Sequence, residues 1–322
     1  MSNLFINTSE WPFYIPIALS IFAVLMFALS KAWPRAWSIL FGSTLLAVLA
    51  GTMVAAWAGL WLPANGASFG GEVDLLFNLI LVLTTFFFIL TEAILVWSLW
   101  NHKPPEGKSP SAIHGNHRLE LAWTIVPALL LAGIAVVQMP TWARMKGAGN
   151  ESWLSTRYEV GSDKADLLVC VHGRQWEWRV RYHDPALPMP TRPLDWAAKA
   201  EPTDLHAVNE IHAYPGAKVR LLLRTHDVIH SFFVPQLRIK QDMLPGRTTP
   251  AWFIPTPADS SRENRWEIAC AELCGGNHYR MRGQVVIHPD KAAFDAWYAS
   301  SAGEQSRRKR SEKAVASAPK AS

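Results

Sequence analysis

Four apolar runs dominate the first 139 residues, at about Pro12–Leu29, Ala36–Leu62, Val73–Leu99 and Leu121–Met139. Each approaches or exceeds the roughly 20 residues an α-helix needs to cross a bilayer. Such a chain folds against lipid rather than around one water-soluble core, and four transmembrane helices are expected. Met1–Trp11 holds no Lys or Arg, so it lacks the basic start of a cleaved signal, and the first run reads as a retained helix. The links between runs carry an orientation signal. Lys31 and Arg35 lie between the first two runs, and Lys103, Lys108 and Arg118 between the last two; Pro63–Glu72 has no basic residue. Basic links stay on the cytoplasmic side. The N-terminus and everything after Met139 are therefore expected outside, with the chain a multi-pass protein of the inner (plasma) membrane.

The second half changes character. Leu167–Val171, Gln175–Tyr182, Lys218–Arg224, Ile229–Val234, Thr249–Ile254, Trp266–Cys270 and Gln284–His288 are short runs rich in β-branched and aromatic residues. Pro and Gly clusters separate them, which predicts strands without interleaved helices and hence an all-β sandwich or barrel. Pro185–Pro202 reads as a surface excursion and Lys291–Tyr298 as a short closing helix. Half of the residues are apolar, yet the net charge is +5. Residues 307–322 account for all of it, with six basic residues against Glu312. The rest is neutral, which argues against a nucleic-acid-binding face. The parts expected are an additional helix pair (1–72), a helical hairpin (73–140), an outer β domain (141–303) and a basic disordered tail (304–322).

Chemistry concentrates in Cys270-Ala-Glu-Leu-Cys274-Gly-Gly-Asn-His278-Tyr-Arg-Met281. Thiolate and thioether are soft donors and imidazole is intermediate, a set that suits copper. Two thiolates four residues apart can bridge a pair of copper ions, each needing a terminal imidazole. His278 supplies one, and His230, after a strand, is the best candidate for the other. A zinc site made by Cys270, Cys274, His278 and a further His is the bland alternative, although it leaves Met281 without a purpose. A Cys270–Cys274 disulfide is another, since the outer compartment is oxidising. His172, His183, His206 and His226 read as surface or packing residues, and Cys170 as a small buried hydrophobe.

With these residues in hand, the chain resembles subunit II of haem-copper cytochrome c oxidases, from about Leu76 to Tyr298. The likeness runs through Gly115-Asn-His-Arg-Leu-Glu-Leu-Ala-Trp-Thr-Ile-Val-Pro127, Gly173-Arg-Gln-Trp-Glu-Trp178, Asn209-Glu-Ile-His212, Asp227–Pro235, Lys240-Gln-Asp-Met-Leu-Pro-Gly246 and Cys270–Met281. It implies a cupredoxin-like Greek-key fold for the outer domain and a dinuclear copper A centre. His230, Cys270, Cys274, His278 and Met281 match the copper ligands. Glu272 matches the residue whose carbonyl completes one copper's shell, and whose side chain reaches a magnesium shared with subunit I. Trp176 matches the aromatic that receives the electron from cytochrome c. Glu120 matches a carboxylate at the mouth of a proton pathway. The implied partners are subunit I, other membrane subunits, the bilayer and a soluble or tethered cytochrome c. Oxygen chemistry would belong to subunit I.

The chain departs from the family in three ways. A helix pair precedes the usual hairpin and is expected to contact another membrane subunit. Glu177 stands where an aromatic is common, and Arg179-Val-Arg-Tyr-His183 is basic where many relatives are acidic; Asp227, Glu177 and Asp184 remain as acids, and the docking face is expected to suit a less basic or membrane-tethered donor. No Cys-x-x-Cys-His follows the copper loop, so no c-type haem is fused there. A copper subunit of a nitric oxide reductase is the rival reading, with Glu120 and the hairpin link against it. A metal-delivery or structural protein is a second rival, opposed by the full ligand set and Trp176. Retention of the ligands argues against quinol as direct donor.

Overall fold

A computed structural model of the chain describes residues 35–101, 115–146, 165–190, 193–257, 259 and 261–317, with side chains to 312. Three helices among the described residues are long and apolar enough to cross a membrane: α1 (Ala36–Trp57), α2 (Gly70–Asn101) and α3 (His117–Met145). The first predicted run lies outside the described residues. At 1.5 Å per residue α1 is about 33 Å long, close to the hydrocarbon thickness of a bilayer. Its side chains and those of α2 and α3 are largely exposed, as lipid-facing helices require. The chain divides into two compact units: residues up to Trp61 with Asn78–Leu131, and Leu62–Phe77 with Ala132–Ser322. In the first, Arg35 lies over the Trp100 ring at 4.5 Å, joining the start of α1 to the end of α2.

The second unit is a two-sheet β domain. Its strands are β1 (Leu167–Arg174), β2 (Glu177–Tyr182), β3 (Leu205–Val208), β4 (Glu210–Ala213), β5 (Val219–Thr225), β6 (His230–Val234), β7 (Ile239–Met243), β8 (Thr249–Phe253), β9 (Asn264–Cys270) and β10 (Arg282–Ile287). One sheet has the order β3-β2-β1-β5-β8 and the other β4-β10-β9-β6-β7. Among the described strands, β1–β5 and β4–β10 pair in parallel and the rest antiparallel. Val169, Val171, Trp178, Val180 and Leu221 of the first sheet share one buried cluster with Ile211, Phe232, Ile268 and Val285 of the second. That common core makes the domain a sandwich, as the alternating runs predict. Trp178 and Phe232 meet edge to face, with ring centroids 5.8 Å apart.

Two features depart from the sequence reading, and a third lies beyond it. Within 185–202 a short helix α4 (Pro193–Ala198) buries Trp196 and Ala197, so that stretch is part of the fold and not only a surface excursion. Helix α5 runs from Lys291 to Ser317, well past Tyr298, so most of the expected disordered tail is helical. The physical reason is twofold. Residues 302–317 are rich in Ala, Glu, Gln, Lys and Arg, which are strong helix formers. Gln305 also anchors the helix to the sandwich, accepting from the His206 amide at 2.9 Å and donating to the Asp204 carbonyl at 2.9 Å. At its root, Trp297 stacks on the buried His212 with centroids 3.8 Å apart.

The third feature is the link before α2. Gly66 and Ser68 donate backbone hydrogen bonds to Gln236 and Ile254, Ala67 bridges Pro255, and Phe69 packs edge-on to Trp252. Arg238, its side chain 7% exposed, grips Asp74 at 2.6 and 3.0 Å and the Pro63 carbonyl at 2.8 Å. The link and the β domain are therefore packed as parts of one compact unit. Asp74→Ala leaves this guanidinium short of its carboxylate. We expect a loss of about 2–3 kcal/mol, below the cost of a fully buried pair because Asp74 is itself partly exposed. An unchanged urea midpoint for the variant would show that the ion pair does not tie the link down.

Candidate metal centre

The loop Cys270–Met281 is the connection between β9 and β10, which pair from Ala269↔Arg282 onward. Its two ends are closed by the Cys270 amide donating to the Met281 carbonyl at 3.2 Å. His230 opens β6, whose Phe232 pairs with Cys270, so the sheet register carries this histidine to the loop across 40 residues of sequence. From the other sheet comes the two-residue turn Gln175-Trp176 that joins β1 to β2. The site therefore sits at one end of the sandwich and draws on both sheets.

Six donors converge. The Cys270 and Cys274 sulfurs are 3.7 Å apart, far beyond the roughly 2.05 Å of a disulfide, and both thiols are free. The disulfide alternative is thereby excluded for this state. Cys270 Sγ lies 3.9 Å from His230 Nδ1 and 3.2 Å from the Glu272 carbonyl. Cys274 Sγ lies 3.5 Å from His278 Nδ1 and 3.8 Å from Met281 Sδ. With metal–donor bonds of roughly 2.0–2.3 Å, two donors on one metal stand about 3–4 Å apart, and all five separations fall there. The set is also bipolar. His230 and the Glu272 carbonyl gather at one sulfur, His278 and Met281 at the other. Six donors split about a sulfur pair suit two metals better than the single tetrahedral ion of a zinc site.

The surroundings fix the ligands. His230, fully buried, points Nδ1 at Cys270 and sets Nε2 2.9 Å from Asp227 Oδ1. A carboxylate on the far nitrogen holds the tautomer that leaves Nδ1 free to coordinate. Asp227 in turn accepts from the Gln175 amide at 2.7 Å, the Val228 amide at 2.7 Å and the Thr225 hydroxyl at 3.1 Å. Burial works against its ionisation, but the bonds from Gln175, His230, Val228 and Thr225 outweigh it and hold the carboxyl at about 2. Sequence reasoning missed this role, although a carboxylate three residues before a ligand histidine in a turn was the signal. Trp176 Nε1 and Gln175 Nε2 both donate to the Cys274 carbonyl, at 3.2 and 2.9 Å. The indole is thus one hydrogen bond from the backbone of a candidate ligand. Gly275 permits that approach: its φ is +117°, and a Cβ there would lie 2.9 Å from Gln175 Nε2 and 3.3 Å from Trp176.

The thiols differ sharply. Burial would raise the Cys270 thiol, but hydrogen bonds from His230, the Ser231 and Glu272 backbone and Cys274 bring it down to about 6. Burial and the neighbouring Cys270 push Cys274 up to about 12, and burial pushes Cys170 to about 11. Thiolate, not thiol, is the nucleophile. Iodoacetamide at pH 7 should therefore label Cys270 first in the copper-free chain, with a rate that rises through about pH 6 and then levels. Peptide mass analysis showing Cys274 or Cys170 labelled as fast would contradict this ordering.

Glu120 lies elsewhere, in the first turn of α3, half-exposed, with His117 Nδ1 4.0 Å away. Asn116 caps that turn by accepting from the Leu119 amide at 3.3 Å. Of the remaining histidines, His172 and His226 contact each other, and His206 joins them in lining a cavity.

Fold and site together define a membrane-anchored β-sandwich protein with a soft-donor metal loop. Two family descriptions match the chain: the cytochrome c oxidase subunit II periplasmic domain over residues 167–288 and its transmembrane domain over residues 55–140. The chain belongs to the cytochrome c oxidase subunit II family and is a membrane-bound subunit of an oxidoreductase complex. It is 25% identical to a cytochrome c oxidase subunit 2 of Thermostichus vulcanus, over 86% of each chain. It is 27% identical to that of Cereibacter sphaeroides, over 72% of this chain and 77% of the relative. Among solved structures it is similar to the periplasmic domain of subunit II of cytochrome oxidase of Bradyrhizobium japonicum, with 22% identity, 44% of this chain and 96% of that one covered, and a TM-score of 0.35.

Proposed function

We propose that this chain is the electron-accepting subunit of a haem-copper terminal oxidase. It takes electrons from cytochrome c at a two-copper centre and passes them to haem in subunit I, where oxygen is reduced to water with proton translocation. The observation that carries the reading is the sulfur pair 3.7 Å apart with one imidazole at each sulfur. Cys270 and Cys274 would bridge the metals, His230 and His278 would cap them, and Met281 and the Glu272 carbonyl would complete one shell each. Bound there, copper would supply a one-electron carrier whose bonds change little on reduction.

The chain's own residues do the rest. Asp227 holds His230 in its coordinating tautomer. The β9–β10 and β1–β2 connections fix both the ligands and Trp176, so little moves when charge arrives. Trp176 accepts the electron and, through its bond to the Cys274 carbonyl, lies on a short path to the ligands. The Glu272 side chain is free to reach a magnesium shared with subunit I. Glu120 would open the proton path, and four crossings with the N-terminus outside would set the sandwich, read as a cupredoxin-like Greek key, on the donor side. The names of the relatives favour the oxidase over a nitric oxide reductase.

The test is copper content and electron paramagnetic resonance of the full chain in detergent. Two coppers and an unpaired electron split equally by both nuclei are expected. A single-copper signal, or tight zinc without copper uptake, would sink the reading.

A further inference from the structure

The hairpin that offers Trp176 is basic on both flanks. Arg174 ends β1 and Arg179 lies in β2, each more than half exposed, and both pair with the same Glu177, at 3.4 and 2.8 Å. One carboxylate against two guanidinium groups leaves the tip positive. Beside it opens a cavity of about 670 Å³ walled by His172, Arg174, Arg179, His206, His226 and Asp227 among others. Asp227 is committed to the Gln175 amide and His230. Arg181, also in the wall, is matched by Asp204. His172 Nδ1 and His226 Nε2 stand 3.0 Å apart with ring planes 8° from parallel. Burial first, then His226, Arg224, Arg181 and His206, hold the His172 imidazole down to about 4, and the Cys170 thiol lies 3.2 Å from its Nε2. The cavity wall carries the exposed Arg174 and Arg179 guanidinium groups and the imidazoles, and its one ionised acid without a guanidinium partner, Asp227, is turned to the Gln175 amide and His230.

We propose that the electron donor docks through an acidic patch, one carboxylate of which enters this cavity between Arg174, Arg179 and His226. The inference rests on Trp176 being the electron-accepting surface. It commits to the donor because Gly173 and Arg174 in the cavity wall run directly into the Gln175-Trp176 turn. Any group seated there borders the docking face. Val228 and Ile229, both exposed beside Asp227, add apolar contact of the kind a docking face uses. A donor ringed with lysines meets the wrong sign here.

The test is oxygen uptake by the assembled oxidase with two ascorbate-reduced probes, a lysine-ringed cytochrome c and one with an acidic ring, from about 10 to about 200 mM ionic strength. We expect kcat/KM for the acidic probe to be at least about tenfold higher at low salt and to fall as salt rises, while the lysine-ringed probe gains. Arg174→Glu with Arg179→Glu should reverse both slopes, and Arg174→Gln with Arg179→Gln should flatten them. Arg262→Glu, before β9 and so at the far end of that strand from Cys270, should change neither. Inorganic phosphate at constant ionic strength should raise KM for the acidic probe and leave kcat alone. Steeper salt-sensitive turnover with the lysine-ringed probe, unmoved slopes in the charge-reversed variant, or a phosphate effect on kcat would each overturn the proposal. Tetramethyl-p-phenylenediamine, which has no docking face, separates the two levels. If the wild type cannot use it, the electron-accepting reading fails; if it can and the slopes are wrong, only the docking proposal fails.

Discussion

On the two-copper reading, Cys274→Ser is expected to remove the mixed-valence signal and to lower bound copper from two ions to one or none. Cys274 is the hub of its half of the site: its sulfur stands 3.7 Å from Cys270, 3.5 Å from His278 and 3.8 Å from Met281. Serine is nearly isosteric, so the fold survives, but its hydroxyl is a hard donor that stays protonated and cannot bridge two soft metals. Losing a residue that merely orients a ligand typically costs 10–100-fold in affinity or activity. Removal of a bridging ligand should therefore cut donor-driven oxygen uptake by at least about 100-fold. Two companions sharpen the reading. Asp227→Asn keeps the ligands and weakens only the hold on His230, so a drop of about 10–100-fold is expected. Cys170→Ser, in a buried strand away from the loop, should leave copper content at two. If Cys274→Ser still binds two coppers with an equally split signal, the bridging assignment is wrong.

What was legible in the sequence follows from range. The donors Cys270, Cys274, His278 and Met281 sit on one connection between paired strands, so their spacing alone brings them together. His230 is 40 residues away and was legible through the strand that precedes it and through family likeness. Asp227 was not, because its role depends on which way a turn points its carboxylate. The strands behave alike. Runs dense in Val, Leu and Ile announced β1, β5 and β10, whereas β3, β4 and β7 were missed. Those three are four or five residues long and carry His206, Glu210, His212, Lys240, Gln241 and Asp242, so alternation is too brief to register. The C-terminal segment was misread for a different reason. Its charge suggested a solvated coil, but its residues favour helix, and Gln305 finds backbone partners beside β3 that composition cannot disclose. The docking of Pro63–Asp74 on the sandwich is tertiary in the same sense: Arg238 and Asp74 are 164 residues apart.

The largest stability loss is expected from Asp204→Ala. Asp204 is fully buried and Arg181 nearly so, and their 2.6 Å ion pair is the centre of a closed network. Arg181 also donates to the carbonyls of Trp196, Ala197 and Lys199, and its guanidinium lies 4.2 Å over the Trp196 ring. Asp204 accepts from Trp196 Nε1 at 3.2 Å and from the Glu201 amide at 2.9 Å. Alanine strands a buried cation and leaves the buried Trp196 indole and the Glu201 amide without their acceptor. Breaking a buried pair from one side costs about 3–5 kcal/mol, a large share of the roughly 5–15 kcal/mol that holds a typical domain folded. The loss should show as an early urea transition in the fluorescence of Trp196, which α4 buries. The double variant Asp204→Leu with Arg181→Met separates charge from packing. Removing both partners deletes the unpaired charge, so it should recover a good part of the loss, with a coupling of about 1–3 kcal/mol between the sites. Additive losses would mean that the two residues act independently. In that case α4 is held by the apolar contacts of Trp196 rather than by the ion pair beneath it.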